Sequence, residues 1–264
     1  MTGVRPTAAG PDFRSGGTRL DDPAPFRVLL EVETRKQVDT RAGRALVTAG
    51  AVTVLLVYVA GGLASGSADF GDALMVGTIP LSLLLPLVAI LAVTTEWTQR
   101  TAQVTFVLEP RRGRVLAAKI LGSLVLAAGL GVLAVAAAAV TTLVTAVAHG
   151  RTPEWSVDAA AVSGLVVLLV ISTLQGAAFG AALQHTVAAM LAFLVLPTVF
   201  SFVATLSGLG PALAWVDLNE ATAPLLESGV PSGAALARLL TATAWWIGVP
   251  LLVGAVRFTR REVA

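Results

Sequence analysis

The chain alternates between long apolar runs and short polar gaps. Six runs stand out, at about 45–66, 73–95, 120–148, 159–183, 186–208 and 238–256. Each is long enough to cross a hydrocarbon core of about 30 Å as a helix, which takes about 20 residues. Helix is the required form, because lipid offers no partner to a free backbone N–H or C=O. A strand barrel would show alternating segments of about ten residues instead of unbroken runs. The third run, uncharged from Ile120 to Ala148, is long enough to tilt. The pattern predicts an all-α, polytopic bundle of six transmembrane helices.

The gap between the second and third runs carries its own pattern. It reads EWTQRTAQVTFVLEPRRGRVLAAK, residues 96–119, with seven charges, five of them basic. On a helix over 97–109, Trp97, Thr101, Val104 and Leu108 share one face. Phe106 and Glu109 lie on the other side. Pro110 ends that helix, since the residue before proline is pushed out of the helical region. Arg111, Arg112 and Gly113 make a turn, Arg114 starts the third span and Lys119 stands at the membrane edge. Two readings fit. The loop's cations meet anionic lipid head groups, or the loop is a docking element that presents Phe106 and Glu109 to a partner.

Composition sharpens this picture. The chain is 56% hydrophobic and 13% charged, about half the charge of an ordinary soluble domain, about 25%. With the N-terminus inside, 16 of the 18 Lys and Arg fall on the inner side and only Arg151 and Arg238 on the outer. Such a split is what basic retention on the cytoplasmic side produces. Both termini are therefore expected in the cytosol, and the chain in the cytoplasmic membrane. Residues 1–25, rich in Gly, Pro and charge, read as a disordered cytosolic tail. Residues 26–264 read as one transmembrane domain. The pI of about 9.7 does not point to nucleic acid, because the basic residues flank apolar runs and suit the lipid bilayer instead. Without cysteine, thiolate metal sites are excluded, and no metal or cofactor site is expected.

The runs hold no ionisable group deep inside, where a charge costs about 2.5–3.5 kcal/mol. Gln175 is the most polar central residue and is expected to bond between helices. His149 and His185 fall at span boundaries. Gly176 and Gly180 form a GxxxG pattern that lets helices approach closely. Pro80, Pro86, Pro197 and Pro250 should bend or loosen spans.

Two segments together suggest a family. The gap shows an E…T…P…R…K pattern in Glu96, Thr101, Pro110, Arg112 and Lys119. The stretch LLEVETRKQVDTRAGR, 29–44, shows E-x-x-K-x-x-D-T-R in Glu33, Lys36, Asp39, Thr40 and Arg41. With six spans, these make the chain resemble the ABC-2 type transporter permeases of actinobacterial type over about residues 26–260. The resemblance implies a type V exporter-like bundle with short cytosolic interfacial helices, paired with a second permease copy or paralogue. It implies a separate ABC ATP-binding subunit that binds the ATP, and a cargo of drug, lipid or peptide class. Glu96, Thr101, Phe106, Glu109, Pro110 and Arg112 would couple to that subunit. Glu33, Lys36, Asp39 and Arg41 would lie on a connecting helix, packed against protein more than sunk in lipid because Glu33 and Gln37 continue the face of Phe26, Leu29 and Leu30.

The sequence lacks G-x-x-x-x-G-K-[ST], so it has no phosphate cradle of that kind, and no enzymatic role is expected. Alternatives are an ion-coupled carrier or channel, which the uncharged interior disfavours, and a non-transporting accessory or immunity subunit. An intramembrane hydrolase would need a base beside Ser163 or Ser172, and neither histidine is at their depth.

Overall fold

The computed structural model describes residues 25–99, 109, 111–206, 208 and 210–260. Among these, every regular element is a helix, and one isolated bridge joins Asp69 to Glu154. The order is α1 (Phe26–Asp39), α2 (Arg41–Ser65), α3 (Phe70–Val76), α4 (Thr78–Thr98), α5 (Arg112–Ala148), α6 (Ala159–Leu183), α7 (Thr186–Leu206), α8 (Gly210–Leu213), α9 (Leu218–Ser228), α10 (Gly233–Thr243), a π-helical turn (Ala244–Gly248) and α11 (Val249–Arg260). Six helical stretches are long and apolar enough to cross a membrane: Gly43–Gly62, Ile79–Thr98, Arg112–Ala148, Ala159–Leu183, Thr186–Leu206 and Gly233–Phe258. The chain is a multi-pass helical membrane protein.

Helix α6 is the centre of the bundle. In its most apolar stretch 61% of residues are buried, against 17% in α7. A helix that is apolar all round suits such a place. Gly176 and Gly180 let α4 come close: a side chain on Gly176 would strike the Pro86 backbone, and one on Gly180 would lie 3.3 Å from the Ile90 Cα. Farther along, a side chain on Gly164 would strike the Leu225 carbonyl of α9, and Gly254 of α11 meets Ala181. The expected GxxxG seam is thus a packing seam.

Several boundaries differ from the apolar runs, for physical reasons. The second run does not start at 73. It breaks at Gly77, whose Cα packs against the Tyr58 ring so closely that a Cβ would collide with it. Residues 70–76 become the separate helix α3, capped by Asp69, which accepts from the Asp72 N–H at 2.8 Å. Pro80 then lies in the first turn of α4, where its missing N–H costs little. Helix α5 begins at Arg112, so Arg112 and Gly113 are helical and make no turn. At 37 residues it measures about 56 Å, well beyond one hydrocarbon core. The last span starts at Gly233 and contains the π-helical turn. There Trp246 is buried, donates its indole N–H to the Val216 carbonyl at 2.7 Å and meets Phe200 edge-on at 5.6 Å. Between α7 and the last span lie the short helices α8 and α9, with Asp217 capping the start of α9.

Candidate functional site

One end of the bundle gathers the residues that the two sequence patterns singled out. It is built by α1, the last turns of α4, the first turns of α5 and the end of α11. Helix α1 stops at Asp39 and α2 starts at Arg41, and Thr40 between them serves both. Its backbone N–H donates to the Lys36 carbonyl at 3.3 Å, and its hydroxyl accepts from the Gly43 N–H at 3.0 Å. Thr40 is therefore the N-cap of α2. A side chain at Gly43 would collide with the Gln37 carbonyl, so this tight elbow needs glycine.

The elbow lays α1 across α5 and buries Leu29, Glu33 and Gln37. Glu33 thereby enters an ionic tetrad. The Lys119 ammonium lies 2.6 Å from Glu33 Oε2 and 3.2 Å from Glu96 Oε1. The Lys36 ammonium lies 2.7 Å from Glu33 Oε1 and 3.0 Å from Glu96 Oε1. Two carboxylates and two ammoniums cancel. Glu33 and Lys119 are each 2% exposed, and such burial of charge is tolerable only in pairs. Lys36 is the half-exposed member. Burial would lower its pKa, but its hydrogen bond to Glu33, together with the charges of Glu96 and Glu33, raises it above the ordinary lysine value.

The tetrad contains both lysines of the chain, Lys36 and Lys119, beside 16 arginines elsewhere. An ammonium is a compact point charge with three donors, whereas a guanidinium is a wide planar fork. Lys119, 2% exposed, holds such a point charge between the two carboxylates. Gln37 supports the arrangement by donating to the Lys119 carbonyl at 3.2 Å. Its amide rests on Gly122, where a Cβ would lie 2.9 Å from Nε2.

The remaining predicted residues have different fates. Asp39 and Arg41 stand exposed at the elbow, outside the tetrad. Glu109, expected to project toward a partner, is 4% exposed. Its Oε2 pairs with Arg114 at 2.9 Å and its Oε1 accepts from the Arg111 N–H at 3.2 Å. The basic start of α5 draws the carboxylate inward. Arg112 donates to the Phe258 carbonyl at 3.4 Å, and the Phe258 ring meets Trp97 edge-on at 5.3 Å, so the ends of α4, α5 and α11 are tied together. Thr101, Phe106 and Pro110, with most of the expected 97–109 helix, lie outside the described residues.

A cleft of about 380 Å³ opens beside the tetrad, between the α1–α2 elbow and α4. Glu33, Lys36, Gln37, Glu96 and Lys119 are in its wall, with Leu46, Val88 and Leu91 farther in. Gln175, the other polar residue noted in the sequence, is 5% exposed, and its Nε2 has no partner among the described residues. His185 accepts from the Ala188 N–H at 3.3 Å at the start of α7, and the His149 ring bonds the Thr145 carbonyl at 3.0 Å. Both histidines finish helix ends. Ser163 and Ser172 donate to their own helix, to the Ala160 and Leu168 carbonyls, and neither faces a histidine.

Sequence reasoning missed the tetrad as a unit. Its signal was available in Glu33 and Gln37 on the apolar face of α1, which need buried partners, and in the two lone lysines. No protein-family model matches the chain, and no curated protein matches it.

Proposed function

We propose that this chain is the membrane-spanning subunit of an ATP-driven exporter of the ABC-2 permease type, working with a separate ATP-binding subunit. One observation carries the reading. The tetrad joins α1 to the end of α4 and the start of α5, the two helices that flank the 99–111 connector. A push delivered at that connector by a partner reaches three helices at once, because a buried, closely paired ion cluster resists separation. The bundle thus has a stiff transmission at one end. Six membrane-length helices support the same reading. ATP cleavage is assigned to the partner, as the sequence carries no phosphate cradle of the P-loop kind. Arg114 draws Glu109 back onto α5, so the docking contact rests on the connector as a whole, with Glu109 holding its base.

The test is reconstitution. The chain is co-expressed with each ATP-binding subunit of its source cell, and the complex that co-purifies is placed in liposomes. We expect ATP-dependent movement of cargo, and in Lys119→Met a partner that still binds but whose ATP hydrolysis no longer drives transport. Transport by the purified chain alone, driven by a proton or sodium gradient without ATP, would instead establish the ion-coupled reading.

A further inference from the structure

At the end of the bundle opposite the tetrad, a second cleft of about 390 Å³ opens between the last turn of α7, α8, the start of α9 and α10. Its wall carries three charged side chains, Asp217, Glu220 and Arg238, beside Thr205 and Pro211. In the tetrad every charge is paired. Among the described residues these three form no ion pair, either with one another or with any other side chain.

Each of the three keeps unused bonding capacity. Asp217 is 4% exposed. Its Oδ1 accepts from the Ser201 hydroxyl and from the Asn219 and Glu220 N–H groups. Those donors are all neutral, and Oδ2 has no partner among the described residues. Oδ2 is not sealed in either, and the cleft is the space that Asp217 walls. A buried carboxylate with no cation at hand is costly. Glu220 stands exposed in the first turn of α9, and its side chain bonds nothing among the described residues. Arg238 lies with its Cζ 5.7 Å from the centre of the Trp215 ring, a cation–π stack. Its Nε is sealed without a partner, but its two terminal nitrogens are not. A guanidinium presents that pair as a fork to phosphate or carboxylate.

An ion of one sign would satisfy one side of this cleft and be repelled by the other. A short zwitterion satisfies both. Place narrows the choice further. Helix α7 ends at Leu206 and the last membrane-length stretch starts at Gly233, so the cleft lies where two spans leave the hydrocarbon, level with lipid phosphates. An ionisable side chain left unpaired at the edge of a span marks a binding site.

We propose that this cleft binds one phosphoethanolamine group, its phosphate on the Arg238 fork and its primary ammonium between Asp217 Oδ2 and Glu220. Choline lacks the N–H donors that the two carboxylates need, and inorganic phosphate lacks the cation. The group can come from the head of an ethanolamine phospholipid or from a soluble phosphoethanolamine compound. The inference rests only on the chain's place in a membrane, and holds whether or not an ATP-binding subunit exists.

Calorimetric titration of the full chain in a maltoside detergent, which has no phosphate, tests the chemistry. Phosphoethanolamine should bind one per chain, about tenfold tighter than phosphocholine, ethanolamine or inorganic phosphate, as befits one lost charged hydrogen bond. Neither Glu220 nor Arg238 makes a side-chain hydrogen bond or ion pair among the described residues, so Glu220→Gln and Arg238→Met should fold. Glu220→Gln should weaken phosphoethanolamine about tenfold. Arg238→Met should bind it no better than ethanolamine. Nanodiscs of phosphatidylethanolamine or phosphatidylcholine separate the two sources. One ethanolamine lipid per chain, retained in native mass spectrometry and lost in Arg238→Met, supports the site with the bilayer as its source. Soluble binding without a retained lipid supports it with a soluble source. Phosphocholine binding as tightly as phosphoethanolamine overturns the proposal, as does affinity unchanged in Arg238→Met, or no binding in either experiment.

Discussion

The two ends of the bundle are held by different means. At the elbow end, charges act across long sequence distances: Glu33 reaches Lys119, and Lys36 reaches Glu96. At the opposite end, the carboxylates act as helix caps, and their partners from other segments are neutral hydroxyls, Ser156 to Asp69 at 3.1 Å and Ser201 to Asp217 at 2.6 Å. Asp69, Asp158 and Asp217 cap α3, α6 and α9 by accepting from backbone N–H groups two or three residues on. Backbone bonds also cross between segments there, Phe70 N–H to the Glu154 carbonyl at 3.0 Å and Glu154 N–H to the Ala68 carbonyl at 2.9 Å, and the Arg151 guanidinium donates to the Gly66 carbonyl at 2.8 Å. The difference is one of failure mode. Losing a cap frays one helix start, because its orphan N–H groups lose a single partner. Losing Lys119 leaves the buried Glu33 with only the half-exposed Lys36 and loosens three helices together.

Substitutions can break this contrast, beginning with the most severe. Lys119→Ala leaves Glu33 and Glu96 to share Lys36 alone and should destabilise by about 3–5 kcal/mol, the usual cost of breaking a buried ion pair; thermal unfolding in detergent measures it. A loss below about 1 kcal/mol would show that the tetrad is solvated and the two ends are alike. Lys119→Arg should also destabilise, since a wide planar guanidinium does not reproduce a point charge held between two carboxylates. Next comes Gly176→Val, which pushes α4 away at Pro86 and should cost about 1–3 kcal/mol as overpacking. It affects the seam shared by both ends, so proteolysis should rise at both. Asp217→Ala removes a buried cap that also accepts from Ser201 at 2.6 Å, and should cost about 1–2 kcal/mol. Hydrogen exchange should quicken at α9 while α1 stays protected. The smallest change is expected from Glu31→Ala, whose exposed pair with Arg35 contributes about 0.3–0.5 kcal/mol.

The half-exposed lysine adds a pH signature to the elbow end. The folded pKa of Lys36 is raised, so the protein binds that proton more tightly than the unfolded chain does. Its stabilising effect is complete below the unfolded lysine value, about 10.4, and fades as pH rises through the higher folded value. Reductive methylation with labelled formaldehyde gives a resolved signal for this lysine, because the chain has only two. A titration midpoint at or below the ordinary value would contradict the pairing. The opposite end, with no lysine, should show no such alkaline loss.

Span positions were legible because an apolar run of about 20 residues has few folded alternatives. Three of six agree with the helices to within a few residues at both ends, and the exceptions are instructive. Gly77 is one glycine in an apolar run, and its break depends on the Tyr58 ring, which belongs to α2. Lys119 read as the last polar residue before a span because hydropathy cannot show that α5 begins as early as Arg112. The face of α1 was read correctly as facing protein, since Glu33 and Gln37 interrupt its apolar stripe. What remained hidden was the partner: which cation answers Glu33 depends on how the elbow at Thr40 turns, and that is a tertiary fact. Glu109 went the other way. Its place on a surface helix suggested projection, and Arg114, in the first turn of α5, pulls it inward.

The claim on which the rest depends is that α1, α4 and α5 are coupled through the tetrad. A double-mutant cycle between Glu33 and Lys119, using Glu33→Gln, Lys119→Met and the pair, measures this directly. A coupling energy of about 1.5–3 kcal/mol, with the double variant nearly as stable as the unaltered chain, is the predicted result. Additive losses, with coupling below about 0.5 kcal/mol, would mean that the charges merely sit near one another and hold nothing together.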